Sequence, residues 1–166
     1  MHDHLFYYFK SKLNPSQRGF SPSKATNTKF LPSAFDFVSH TLLLLKLRAY
    51  GLSDTYVSCL QSYISNRYSV VRIQGIYSTT FEVLSGVPQG YVIGPFLFHV
   101  FINDLCNYIK HARYLLFADG INIYFTVNSV TDCKFLQTDI DGICGWLAAN
   151  CMKFSYDRTN HLYKEN

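Results

Sequence analysis

Charged residues are scarce in this sequence. They make up 16% of its 166 residues, against about 25% in an average soluble domain. Hydrophobic residues account for 48% of the chain and aromatic residues for 17%. Because intrinsic disorder requires high charge and few aromatic side chains, this composition excludes a disordered chain. It predicts one globular domain, or most of one, with a buried core.

Long apolar runs are also missing. A transmembrane helix needs about 18 or more consecutive apolar residues, and the densest apolar stretch, residues 92–102, contains Gly94, Pro95 and His99. Polar residues follow Met1, where a secretory signal would continue into an apolar segment. We therefore expect a protein that does not span a membrane and is not secreted. Its expected location is inside the cell, in the nucleus or the cytoplasm.

Cysteines at metal-binding spacing are absent. The five cysteines are odd in number, and no two of them form a Cys-x-x-Cys motif; they are Cys59, Cys106, Cys133, Cys144 and Cys151. This spacing argues against a zinc site and against a disulfide framework. We expect reduced thiols in the core of an intracellular protein.

Positive charge is concentrated at the beginning of the chain. The whole sequence has a formal net charge of +4. The first thirty residues contain one acid, Asp3, and five basic residues: Lys10, Lys12, Arg18, Lys24 and Lys29. The rest of the chain has as many acidic as basic residues. A basic segment on a neutral body suits contacts with a nucleic-acid backbone, although a merely solvated terminus explains the charge equally well.

The hydrophobic periodicity predicts four helices. The first two begin after the capping residues Ser39 and Ser53. The third begins at Gly94-Pro95 and extends to Tyr108, and because it is apolar nearly all round we expect it to be buried. The fourth is an amphipathic helix, marked by Leu136, Ile140, Ile143 and Leu147.

Two β-hairpins are predicted between these helices. One pairs residues 69–74 with 79–84 around Gly75, and the other pairs residues 114–117 with 121–127 around an Asp-Gly turn that contains Asp119. A last short strand is expected at residues 152–156. The predicted fold class is therefore α+β, an antiparallel sheet covered by helices on one face.

Two short segments have the composition of a functional site. Residues 85–98 place three glycines and two prolines just before a buried helix, which allows close approach of the backbone to a ligand and offers N–H groups to an anion. Asp119, on its hairpin turn, would present a carboxylate to a divalent cation. Each segment also has an ordinary explanation, as a turn before a helix or as an aspartate kept for turn geometry.

Further motifs accompany these two segments. They run in the order QRGF (17–20), AFD (34–36), VSH (38–40), LKL (45–47), SGVPQG (85–90), IGPFLF (93–98), FINDL (101–105) and FAD (117–119), followed by Trp146 and Asn150. In this order the sequence resembles, over nearly its whole length, the reverse transcriptase domain of non-LTR (LINE-like, jockey-type) retrotransposons. The block at 85–98 is the most specific part. The resemblance implies a partial right-hand polymerase palm with a remnant of the fingers, which copies RNA into DNA by two-metal phosphoryl transfer.

The resemblance also implies an organisation and a set of partners. Residues 1–33 would be a basic fingers-like remnant, 34–160 a palm-like domain and 161–166 a tail. An RNA template and a DNA primer are the implied partners, and Mg²⁺ is the implied cofactor. The basic residues of the first segment would contact the nucleic-acid backbone.

The nucleotide pocket is carried over residue by residue. Ala34 and Phe35 match the family's pocket motif, and Phe35 would crowd a ribose 2′-hydroxyl and so favour deoxynucleotides. Pro88, Gln89 and Gly90 match the loop that touches the templating base and the incoming nucleotide.

The catalytic residues depart from the family pattern. Phe30 stands where the first metal-binding aspartate is expected, and Gly120 replaces the last aspartate of the family's F-A-D-D turn. Asp119 matches the first aspartate of that turn, and the resemblance implies that it would be a direct metal ligand. Arg158 replaces a lysine that assists pyrophosphate departure, and its much higher pKa makes it a poor proton donor.

These departures predict a domain without polymerase activity. Two-metal catalysis needs carboxylates from both strands to hold the ions about 3.5–4 Å apart. The acids that could substitute for the missing ones are Asp36, Glu82 and Asp104. An inactive reverse transcriptase is the first hypothesis, a non-catalytic module that binds RNA or primer–template the second, and a reading frame without a selected product the third. An active polymerase ranks last.

Overall fold

The computed structural model describes residues 9, 12, 34–88, 93–117 and 119–154. The description begins with a short 3₁₀ turn, Ala34–Phe37. Helix α1 (His40–Ala49) follows it, with Ser39 as N-cap: its hydroxyl accepts a hydrogen bond from the N–H of Leu42 at 3.4 Å. Helix α2 (Asp54–Ile64) begins after Ser53. Both serines occupy the predicted N-cap position in an extended conformation, but the side chain of Ser53 makes no capping hydrogen bond.

The central helix is α3 (Ile93–Ile102), which is buried along nearly its whole length. Pro95 lies in its first turn, where a missing N–H is tolerated. The predicted extension to Tyr108 is wrong in detail, since the chain tightens into a 3₁₀ helix at Asn103–Tyr108 and the side chain of Tyr108 is exposed. Helix α4 (Val130–Ala149) is capped by Ser129, whose hydroxyl accepts from the N–H of Asp132 at 3.2 Å.

The first hairpin comprises residues 67–83 and consists of two separate strand pairs. Strand β1 (Arg67–Ser69) pairs with β4 (Phe81–Val83), and β2 (Arg72–Ile73) pairs with β3 (Ile76–Tyr77). Between β2 and β3, Gln74 and Gly75 both have positive φ (49° and 87°), as a two-residue type I′ turn requires.

The two continuous strands predicted for this hairpin are not observed. The backbone N–H of Ser78 donates to the carbonyl of Val71 at 2.9 Å, but the N–H of Val71 donates to the Ser78 hydroxyl instead of its carbonyl. A side-chain oxygen therefore replaces a backbone acceptor and interrupts the ladder.

The second hairpin comprises residues 113–124. Strand β5 (Arg113–Phe117) pairs with β6 (Gly120–Tyr124), and Phe117 lies opposite Gly120. Asp119 lies in the turn between the two strands, as predicted.

The predicted single sheet is wrong for the residues that the structure describes. They contain three separate two-stranded antiparallel pairs: β1 with β4, β2 with β3, and β5 with β6. Of the predicted last strand, residues 152–154 are not in a strand, and residues 155 and 156 lie outside the described residues. The coarser prediction, helices mixed with small antiparallel sheets, is confirmed.

One hydrophobic core joins the four helices. Helix α3 packs against α1 and the Ala34–Phe37 turn, while α4 packs against the Asn103–Tyr108 segment. The largest fully buried side chains include Phe9, Phe98, Phe101 and Trp146. Phe9 contacts the rings of Tyr50 and Phe96 edge-on, with centroids 5.8 and 5.4 Å away. Leu116 of the second hairpin belongs to this core, whereas no strand residue of the first hairpin does.

All five cysteines are free, and their redox state stays a prediction. Their predicted position in the core is wrong: Cys106 is half-buried, and Cys59, Cys133, Cys144 and Cys151 are exposed. No helix among the described residues is long and apolar enough to cross a membrane.

Candidate nucleotide pocket and its surroundings

The Ala34–Phe37 turn and the residues that follow it are hydrogen-bonded to the loop before α3. We call these two segments, residues 34–40 and 85–88, the turn–loop junction. The N–H of Val87 donates to the carbonyl of Phe35 at 2.9 Å, and the N–H of Gly86 donates to that of Val38 at 2.8 Å. These bonds join two motifs that lie about fifty residues apart in the sequence.

Side chains reinforce the turn–loop junction. The hydroxyl of Ser85 donates to the carbonyl of Asp36 at 2.7 Å, and Nε2 of His40 donates to the carbonyl of Gly86 at 2.8 Å. Gly86 has φ +89°, and a Cβ on it would lie 2.9 Å from Cα of Asp36. Both the backbone conformation and this close approach therefore require glycine.

Phe35 is held against the buried helix. Its ring lies 4.4 Å from the ring of Phe98, tilted by 34°. Phe35 and Ala34 are half-buried at the edge of the core. The predicted role of Phe35 in a nucleotide pocket stays a prediction.

The start of α3 is packed tightly against the loop. A Cβ on Gly94 would lie 1.9 Å from the carbonyl oxygen of Pro88, so a larger residue would displace the loop. Pro88 is buried at this contact. The other two residues predicted for the template loop, Gln89 and Gly90, lie outside the described residues.

A cleft of about 480 Å³ opens beside the turn–loop junction. The first hairpin forms one wall, through Arg67, Ser69 and Phe81, and residues 84–87 form another. Two carboxylates, Asp36 and Glu82, also line it. Its volume lies in the range of small-ligand sites.

Asp119 lies in the exposed turn of the second hairpin. Among the described residues, no three or more side chains of His, Cys, Asp or Glu come together in a group that could hold a metal ion. The donor set that the structure describes around Asp119 does not fit the two-metal site that the resemblance implies.

The proposed substitutes for the missing carboxylates have other surroundings. Asp104 accepts hydrogen bonds from Nζ of Lys46 at 2.6 Å and from Nε1 of Trp146 at 3.1 Å. Its charge is thus engaged in a structural ion pair. Asp36 and Glu82 both line the cleft. The sequence did not indicate that these two carboxylates lie close to each other.

Of the predicted backbone-binding lysines and arginines, only Lys12 lies within the described residues. Its ammonium group donates to the carbonyl of Tyr50 at 2.5 Å, which ties Lys12 to the residue that follows α1. The other four, Lys10, Arg18, Lys24 and Lys29, lie outside the described residues. So does Arg158, the predicted counterpart of the family lysine.

A network around the half-buried Lys46 holds the helices near Asp104 together. Nζ of Lys46 donates to the carbonyl of Phe101 at 2.7 Å and lies 4.6 and 4.7 Å from the ring centroids of Phe101 and Trp146. Burial lowers the pKa of Lys46 more than the hydrogen bond and attraction to Asp104 raise it. A cation over two aromatic faces stabilises this junction of α1, α3 and α4.

Asp139 is the polar residue that sequence reasoning missed. It is fully buried on α4, and its carboxylate accepts three backbone N–H bonds, from Lys110, His111 and Ala112, at 2.9, 2.9 and 2.7 Å. Burial raises the pKa of Asp139, but these bonds and the nearby His111 outweigh burial and lower it. A signal was present, since Asp139 interrupts the apolar stripe of an amphipathic helix.

Asp139 fixes the chain that enters β5. The three N–H groups immediately precede Arg113, the first residue of the second hairpin. Because a carboxylate that accepts several N–H groups makes strong, directional bonds, α4 sets the position of the hairpin whose turn carries Asp119.

The chain matches known proteins over nearly its whole length. Residues 8–165 match the family described as reverse transcriptase (RNA-dependent DNA polymerase). The sequence is 29% identical over 152 residues to a probable RNA-directed DNA polymerase from transposon BS of Drosophila melanogaster, covering 86% of this chain and 17% of that protein.

Two shorter alignments agree. The chain is 40% identical over 81 residues to a probable RNA-directed DNA polymerase from transposon X-element of Drosophila melanogaster, which covers 48% of this chain and 9% of the relative. It is 32% identical over 80 residues to a retrovirus-related Pol polyprotein from the type-1 retrotransposable element R2 of Popillia japonica, 48% of this chain and 13% of the relative. The chain therefore spans less than a fifth of the length of these relatives. The resemblance to non-LTR reverse transcriptases that its motifs indicate is confirmed.

Proposed function

The chain belongs to the reverse transcriptase family, among the enzymes of non-LTR retrotransposons, and from that premise we propose that it is a palm-like domain that binds its nucleic acid without extending a primer. Residues 34–160 form the palm-like part of this proposal, 1–33 a basic remnant of the fingers and 161–166 a tail. Its location is inside the cell, in the nucleus or cytoplasm, where free and mostly exposed thiols remain reduced.

One observation carries the proposed loss of chemistry. The residue after Asp119 is Gly120, which begins β6, and the described residues contain no group of three metal-binding side chains. Nucleotide addition stabilises the attacking and leaving oxygens between two metal ions. One exposed aspartate in a tight turn is too small a ligand set for that task.

Primer extension tests the loss of activity. A labelled DNA primer on an RNA template is incubated with deoxynucleotides and Mg²⁺ or Mn²⁺, using the wild-type chain and Asp119→Asn, with an active reverse transcriptase as positive control. We expect no extension by either form. Extension by the wild type that disappears in Asp119→Asn would contradict the proposal and would make Asp36 the first candidate for the missing ligand.

A restoring variant sharpens this test. Gly120→Asp returns the second carboxylate to the turn, although a Cβ there lies 3.3 Å from the carbonyl of Phe117, which demands a small local shift. We expect Gly120→Asp to remain inactive. In this variant Phe30 still occupies the position where the first metal-binding aspartate of the family is expected, so one of the three carboxylates is still missing. If this single change restored primer extension, the two carboxylates of the turn would be sufficient for activity, and the proposal would be wrong about the third.

The retained part of the function is binding of RNA or of a primer–template hybrid. The intact turn–loop junction supports it, since Phe35 and the loop before α3 are held together by backbone hydrogen bonds that need no metal. Backbone contacts depend on salt and not on the catalytic carboxylates. We expect RNA binding that weakens with salt and is unchanged in Asp119→Asn, measured by fluorescence anisotropy.

Failure of the folded chain to bind RNA would leave the third hypothesis, a reading frame without a selected product. That hypothesis predicts poor solubility through exposed apolar surface. Circular dichroism and gel filtration of the purified chain distinguish a folded non-binder from an aggregate.

A further inference from the structure

Strand β5 of the second hairpin has an apolar outer face and an outer edge. One face of the strand packs on the core, through Tyr114 and Leu116. The alternate residues, Arg113, Leu115 and Phe117, therefore lie on the opposite face, where Phe117 is 62% exposed. Strand β5 pairs with β6 on one side, and no other strand in the described part of the chain pairs with it. An edge of this kind presents backbone N–H and C=O groups to a further strand.

The sequence of this edge has none of the features by which proteins prevent edge strands from pairing. Residues 114–118 include no charged residue and no proline, and the register between β5 and β6 runs without a bulge. Charged side chains, prolines and bulges are the usual protection of an edge. The uncharged, regular edge of β5 therefore favours pairing with another strand.

Opposite charges flank this uncharged segment. Arg113 precedes it, Asp119 follows it, and both side chains are exposed. Neither of them forms an ion pair within the described part of the chain. Leu116 lies midway between them, three residues from each. The edge is therefore complementary in charge to a copy of itself that runs in the opposite direction.

A two-fold axis at Leu116 would bring the complementary groups together. Residues at equal distances from the axis lie opposite each other, so Arg113 of one copy meets Asp119 of the other. Leu115 meets Phe117 in the same way, which covers an exposed ring with an apolar side chain. Because both copies use the same edge, the assembly closes as a dimer instead of growing into a fibre.

Strand β5 is already ordered before a second copy binds. The carboxylate of Asp139 holds the three backbone N–H groups that precede the strand, and Leu116 is buried in the core. An edge that is held in place loses less conformational entropy on association than a flexible one.

We propose that two copies of this chain pair antiparallel through the outer edges of their β5 strands, with Arg113 of each copy beside Asp119 of the other. The pairing extends two separate hairpins into one four-stranded sheet, and sheets of three or more strands are more stable than a lone hairpin. This inference goes beyond the proposed function, because it needs neither RNA nor metal. It gives Asp119 a protein partner.

Charge exchange on the full-length chain tests the register. Arg113→Asp places a like charge opposite Asp119 and should weaken the dimer about tenfold or more. The double variant Arg113→Asp, Asp119→Arg restores opposite charges and should return the affinity of the wild type. Arg72→Asp, which changes the arginine across from a tyrosine in the first hairpin, is the matched control and should leave the affinity unchanged. Sedimentation equilibrium without RNA measures the affinity, and circular dichroism verifies that each variant is folded.

Hydrogen–deuterium exchange locates the interface independently. Raising the protein concentration from below to above the measured dissociation constant should slow the exchange of amides at residues 113–117. The exchange at residues 67–83 should not change with concentration, because the first hairpin takes no part in the pairing.

The outcomes also separate this inference from the proposed function. A folded wild-type chain that stays monomeric at every concentration overturns the inference, as does a dimer that Arg113→Asp leaves intact or that the double variant fails to restore. Protection confined to residues 120–124 or 67–83 would assign the interface to another edge and would overturn it as well. Loss of RNA binding by an intact dimer would contradict the proposed function alone.

Discussion

The two hairpins follow the same local rules but are held to the molecule in different ways. In each, an arginine lies directly across the ladder from a tyrosine, Arg72 with Tyr77 in the first and Arg113 with Tyr124 in the second. In the first hairpin no residue of its four strands is buried. In the second, Leu116 is 4% exposed and reaches the core.

The difference shows that the residues of the turn determine where a hairpin forms, whereas contacts with distant segments fix it to the core. Tyr114, Ile121 and Ile123 pack against the core on the same hairpin as Leu116, and Asp139 fixes the residues that enter it. A two-stranded hairpin alone is marginally stable in water. The second hairpin is therefore part of the rigid body, while the first is a surface element suited to contacts with a partner.

The largest expected effect comes from removing the Asp139 carboxylate. Asp139→Ala leaves three backbone N–H groups without their acceptor, and we expect a loss of about 3–5 kcal/mol in the free energy of unfolding. Denaturant unfolding measures it, and Asp141→Ala, an exposed aspartate on the same helix, is the control. A loss below about 1 kcal/mol would mean that α4 does not anchor the second hairpin.

Truncation of the buried leucine should have the next largest effect. Leu116→Ala removes the side chain that places the second hairpin on the core, and we expect a loss of about 2–3 kcal/mol. Phe117→Ala changes the exposed neighbour on the same strand and should stay within about 0.5 kcal/mol. If both variants lost a similar amount of stability, the conclusion that only one face of the second hairpin packs against the core would be wrong.

Acid should weaken the second hairpin through Asp139. Because its pKa is lowered in the folded state, the carboxylate contributes stability at a pH above its unfolded value of about 4, and this contribution disappears as the pH falls through the folded pKa. Thermal unfolding between neutral pH and about pH 3 should therefore show a decline in stability that is smaller in Asp139→Asn. An equal decline in both forms would assign the acid sensitivity to other groups.

The smallest effect is expected in the first hairpin. Ile76 is 75% exposed, so Ile76→Ser should change the stability of the molecule by no more than about 0.5 kcal/mol. Urea unfolding detects a larger change, which would show that the exposed hairpin face packs against part of the chain after all.

Local signals predicted much of this fold. Serine caps, the glycine and aspartate turns and the helical spacing of leucines each depend on residues within one or two turns of one another. They predicted the four helices and the position of both hairpins. The broken ladder between Val71 and Ser78 was missed because a serine hydroxyl competes with the backbone only in the paired geometry.

Such local signals do not predict contacts between distant segments. Asp139 lies 27–29 residues from the N–H groups that it binds, and the sequence does not state which loop an aspartate on an apolar stripe will meet. Asp36 and Glu82 likewise line one cleft only because the turn–loop junction and the first hairpin meet. The motif order identified the family, whereas the surroundings of each carboxylate required coordinates.

Hydrogen–deuterium exchange of the full chain tests the contrast between the hairpins most directly. We expect fast exchange of amides at residues 67–83 and slow exchange at 113–124, because exchange follows burial and local contacts. Equally slow exchange of both hairpins, or slower exchange at 67–83 than at 113–124, would contradict the account.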